Sequence, residues 1–132
     1  MNRFLFSISI VLVVLFSVQL TCIGTEPENA KAVLMQSMEP VLSGDGAIVS
    51  EPLSIQKIEK KELEEIRGKD CPQVPFGFSN KKWEKFKSLY KDGDVILYFR
   101  TNNETWQKEC GREGYAIIRG KVIIDTLFTL IN

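Results

Sequence analysis

Between Trp106 and Ile124 the chain reads WQKECGREGYAIIRGKVII, with three glycines, four basic residues and a cysteine set among aliphatics. Residues of these types can cradle a phosphate on backbone N–H groups, pair a thiol, or supply carboxylates for acid–base work. The spacing excludes the first. A P-loop keeps four residues between its glycines and follows the second with Lys and then Ser or Thr. Here five residues separate Gly114 from Gly120, and Val122 follows Lys121. GREG lacks the dinucleotide pattern G-x-G-x-x-G, and it shares only its spacing with the G-x-x-G loop of a KH domain. Charge argues the same way, since 17 basic residues balance 17 acidic ones and leave no net cationic field for nucleic acid.

The chain has no histidine. That removes Ser-His-Asp and Cys-His nucleophiles and every zinc site with imidazole ligands, while three cysteines cannot close a four-thiolate zinc site. No metal or cofactor is expected. Acid–base work would fall to Glu109, Glu113 and Asp125, with Tyr115 as an auxiliary donor. The ordinary alternative is a surface ion-pair region around Arg112 and Glu113. Cys110 stands near the carboxyl end of an expected helical turn, where the dipole disfavours thiolate, so a redox role is not indicated. If the domain has a binding site, Arg112, Glu113, Tyr115 and Trp106 are its candidate residues, with none assigned to catalysis.

Several elements must position these groups. Residues 1–24 begin with Arg3 and run apolar from Phe4 to Leu20, the layout of an export signal or, if retained, of a membrane anchor. Small residues before Thr25 suit cleavage there, whereas Cys22 at the end of the apolar run is a lipidation alternative. Export would leave Cys71 and Cys110 in an oxidising compartment. A disulfide between them would close a loop of about 40 residues and add a few kcal/mol; two separately buried thiols are the alternative.

Residues 25–52 carry prolines and glycines and no aromatics, and they read as a weakly structured linker in which AKAVLMQSM could form a helix and GAIVS a short strand. Residues 53–132 form the expected domain. In it, Ile55, Ile58, Leu63 and Ile66 mark a helix over 54–67 that stops at Gly68. Phe76 and Phe78 are expected to pin the following loop. Ser79 or Asn80 then caps a helix whose Trp83, Phe86, Leu89 and Tyr90 form an apolar stripe, with a lysine-rich back. The apolar run Val95 to Phe99 predicts a strand covered on both faces. Asn102 or Asn103 opens a helical turn that ends at a left-handed Gly111, and two strands joined at Arg119-Gly120 close the chain. The class is α+β: two or three short helices on a small, three-stranded, mostly antiparallel sheet, preceded by an apolar export helix.

Gly93-Asp94, Tyr98-Phe99, Trp106, Gly111 to Ala116, Arg119 and the closing Thr129 to Asn132 carry a resemblance. Over about the last third of the chain they resemble the carboxyl-terminal module of short bacterial proteins of unknown function. The resemblance implies a bacterial source and no particular activity. The expectation is an exported protein, periplasmic or membrane-attached outside the cytoplasm, working as a non-catalytic binding or structural module. Its membrane contact would be the amino-terminal segment or a lipid, and its partner an envelope protein. The alternatives are a small carboxylate-based envelope enzyme and a periplasmic inhibitor or immunity-type protein.

Overall fold

A computed structural model describes residues 24–132. The expected export segment and Cys22 lie outside the described residues. Among those described, no helix is long and apolar enough to cross a membrane.

The fold is α+β, with a four-stranded antiparallel sheet in the order β1-β2-β3-β4. Its strands are β1 (Ile48–Val49), β2 (Val95–Arg100), β3 (Arg112–Arg119) and β4 (Val122–Ile131). The helices are α1 (Pro27–Ser37), α2 (Ile55–Ile66), α3 (Asn80–Ser88) and the short α4 (Asn103–Gln107). The expected three strands gain β1, which the GAIVS segment supplies. Ser50 continues that edge: its N–H donates to the Tyr98 carbonyl and its Oγ accepts from the Tyr98 N–H, both at 2.9 Å.

The two faces of the sheet follow from the period-2 alternation of β2 and β3. Val95, Leu97, Phe99, Ala116 and Ile118 point to one side, where Ala30 and Leu34 of α1 and Leu42 cover them. Ile96, Tyr115 and Ile117 point to the other side, against Ile58 of α2 and Trp83 and Phe86 of α3. The apolar run in β2 is therefore a strand covered on both faces, as its composition implies. The segment expected as a linker forms half of that cover: Ala30 and Leu34 are fully buried. Thr25 is already bound, its N–H donating to the Gly93 carbonyl at 3.0 Å and its Oγ1 accepting from the Gly120 N–H at 2.7 Å.

Local signals explain most element ends. Ser54 caps α2 by accepting from the Lys57 N–H at 3.2 Å, and Asn102 caps α4 by accepting from the Thr105 N–H at 3.1 Å. Gly120, at φ 58°, makes the β3–β4 turn that its sequence position implies. Other expectations fail. Neither Ser79 nor Asn80 caps α3; a single 3-10 turn over Gly77–Ser79 leads into it, and Asn80 donates to the Pro75 carbonyl at 2.9 Å. Phe76 lies 4.9 Å from the Trp83 ring, but Phe78 is 81 % exposed and pins nothing. In α2 the inward position after Ile58 belongs to Glu62, and Leu63 turns outward.

Gly111 does not end α4 in a left-handed conformation. Glu109 takes that role at φ 56°. Gly111 is glycine because the Trp106 indole rests on it: a β-carbon there would stand 2.3 Å from Trp106 Cδ2.

Candidate functional site

The alternation of β3 divides the expected cluster. Glu113 and Tyr115 share one face with Tyr98, which pairs with Tyr115 across the β2–β3 ladder. Arg112 turns away from them, its guanidinium 5.7 Å from the Phe128 ring. Trp106 serves the end of the sheet. Its indole N–H donates to the Thr101 carbonyl at 3.1 Å, Arg100 lies 4.8 Å from its ring, and Asn132 donates to its backbone carbonyl at 2.8 Å. Of the four candidates, Glu113 and Tyr115 alone come together, and Trp106 and Arg112 lie apart from them.

These two line a cleft of about 340 Å³ between α2 and the β2–β3 pair, joined there by Lys61, Glu62, Glu65 and Tyr98. The Tyr115 hydroxyl donates to Glu62 Oε1 at 2.9 Å. Lys61 Nζ stands 2.7 Å from Glu65 and 3.5 Å from Glu62. Burial, followed by the Glu62 carboxylate, pushes the Tyr115 hydroxyl well above the ordinary tyrosine value. Burial, followed by Glu113, does the same to Tyr98. Both phenols therefore remain protonated, so they can donate hydrogen bonds but cannot serve as bases near neutral pH.

Glu62 and Glu65 were not among the sequence candidates. A signal existed for Glu62, because it falls four residues after Ile58 and four before Ile66 and so shares their helix face. Of the other carboxylates, Glu109 is exposed beyond α4, and Asp125 lies in a separate groove with Lys82 and Lys85. Neither converges with Glu113. Among the described residues no group of three or more His, Cys, Asp or Glu is placed to hold a metal ion.

A cleft of about 700 Å³ lies elsewhere, between the loop after α1 and α4. Its polar groups are engaged with one another. Asn102 donates to the Ser43 carbonyl at 2.7 Å and Asn103 to Asp45 Oδ2 at 3.1 Å. This cleft joins two segments of chain and leaves few free groups for a ligand, so the smaller one is the better candidate.

Cys71 and Cys110 are both free thiols, and the structure does not bring them to disulfide distance. Cys71 packs beside Gly77 in the loop between α2 and α3, whereas Cys110 is exposed beyond α4, beside the cleft formed with the loop after α1. The fold holds these loops apart, and the two thiols are unbridged in this structure. Comparison of the chain with family models, curated proteins and solved structures finds no match.

Proposed function

We propose that this chain is an exported bacterial envelope protein whose domain is a non-catalytic binding module, and that it binds through the cleft of Glu62, Glu113, Tyr98 and Tyr115. The lining of that cleft carries the reading. Two phenols fixed as donors stand beside carboxylates, of which Glu62 is engaged by Tyr115 and Glu65 by Lys61. Groups held in this way recognise a ligand more readily than they exchange protons with one. The carboxylates favour a ligand that presents ammonium or N–H groups, such as an amine-bearing envelope component or a partner protein. Export rests on Arg3 and the apolar run from Phe4 to Leu20. The bacterial source rests on the resemblance of the last third of the chain.

Titration of the protein with solubilised cell-wall fragments, followed by tryptophan fluorescence, tests the reading. Trp83 is a suitable reporter because Phe76, which also lines the cleft, lies 4.9 Å away. A saturable change that is lost in Glu113→Gln with Tyr98→Phe is expected; the absence of any response would sink the proposal. A carboxylate-based enzyme is the second reading, favoured by the convergence of Glu113 with Glu62 and Glu65. Appearance of cleavage products in the same titration, abolished by Glu113→Gln, would establish it instead.

A further inference from the structure

We propose that the outer edge of β4 is a docking strand for an extended acidic segment of a partner protein. The site adjoins the cleft, whose lining shares Phe128 and Leu130 of β4 with it. β4 is ten residues long and ends the sheet, so its outward N–H and C=O groups have no neighbouring strand among the described residues. Such an edge is a template for strand addition. Val122, Phe128, Leu130 and Ile131 all stand exposed along it. A groove of about 290 Å³ runs between this edge and α3, where Lys82 and Lys85, set against the single carboxylate of Asp125, flank Phe86, Phe128 and Ile131. Lys87, on the same helix, is bound by Glu59 and Glu84, but Lys82 and Lys85 have no ion-pair partner among the described residues.

Two features favour a separate acidic strand over a second copy of this chain. The β3–β4 register shifts twice, leaving Ile124 and Thr129 as bulged residues and confining the regular edge to Asp125–Phe128. Bulges of this kind oppose long edge-to-edge pairing of identical sheets. A two-fold axis through so short an edge would also bring the two Lys82–Lys85 pairs together, a like-charge arrangement that disfavours association. An incoming strand with acidic side chains on one face would instead meet both lysines while its apolar face covers Phe128 and Ile131.

Fluorescence anisotropy with the purified full chain tests this, using a labelled decapeptide of alternating valine and glutamate. Saturable binding is expected, weakened about tenfold or more in Lys82→Glu with Lys85→Glu. Both lysines are exposed, so an unchanged thermal midpoint for that variant separates lost docking from lost folding. The same peptide N-methylated at alternate amides should not bind, because it cannot complete the ladder. No saturation, or equal binding of the N-methylated peptide or of a valine–lysine peptide, overturns the proposal. So does displacement of the peptide by phosphatidylglycerol vesicles with no loss on N-methylation, which would make α3 a membrane-facing helix. A concentration-dependent dimer that the peptide does not dissociate would assign the edge to a second copy.

Discussion

Leu34→Ala distinguishes a segment that builds the core from one that merely connects. Leu34 is fully buried and packs with Ala30 and Leu42 against Leu97, Phe99 and Ala116. Removing most of a buried leucine side chain costs the lost transfer energy together with the cavity left behind, in a range of about 2–5 kcal/mol. Close packing of α1 onto the sheet leaves little room for collapse, so ~3 kcal/mol is expected. For a domain of this size that corresponds to a fall in midpoint on the order of 10–15 °C. Urea unfolding followed by circular dichroism measures it, with Met35→Ala as the control because Met35 is 44 % exposed on the same helix. The control should change stability by roughly 0.5 kcal/mol or less. If Leu34→Ala behaved like its control, residues 25–52 would be a linker after all and the two-sided core would be wrong.

Gly111→Ala should destabilise by about 1–3 kcal/mol, since the added carbon meets the Trp106 indole and overpacking forces it off Thr101; a neutral result in thermal melts would refute the stacked geometry. Asp94 predicts acid sensitivity. Its hydrogen bonds from Arg119, at 2.7 and 2.8 Å, hold its carboxyl below the ordinary value. A carboxyl depressed in the folded state contributes stability that is present above its unfolded value, about 3.9, and is lost as pH falls through the folded one. Asp94→Asn should therefore flatten the pH–stability curve below about pH 4, and an unchanged slope would count against the pairing. Tyr115→Phe leaves the buried Glu62 without its 2.9 Å donor and should cost about 1–3 kcal/mol in chemical unfolding. Alkylation of the native protein without reductant should modify Cys110 rapidly and Cys71 more slowly, with intact mass showing both; an unreactive pair would mean a bridge forms.

The legible parts of this fold are those in which one element settles its own pattern. The run Val95 to Phe99, the cap at Ser54 and the turn at Gly120 each state their conformation in a few consecutive residues. α1 was harder to place because its inward face is narrow: Ala30 and Leu34 alone are fully buried, Met35 faces out, and Pro27 and Pro40 bracket it in a proline-containing stretch. What makes α1 core is the opposite face of β2 and β3, a long-range fact. The site divides along the same line. Glu113 and Tyr115 stand two apart on β3 and therefore share a face, but their neighbours Glu62 and Glu65 come from a helix some fifty residues earlier. Arg112 is adjacent to Glu113 in sequence, and adjacency on a strand places side chains on opposite sides, whereas Trp106 belongs to α4 and packs at the end of the sheet.

The clasp at Thr25 fixes how this domain would be displayed. With that residue bonded to Gly93 and Gly120, the fold is anchored five positions after Leu20, where the apolar run ends. Were that run retained in a bilayer, the β3–β4 turn, bonded to Thr25 through Gly120, would belong to the part of the domain nearest the anchor in sequence. Along the eight residues of β3, at about 3.3 Å each, Glu113 and its cleft lie roughly 20–25 Å from that turn, at the far end of the strand. Were a leader peptidase to cut before Thr25, it would have to act before Thr25 docks, so processing and folding would compete for one residue.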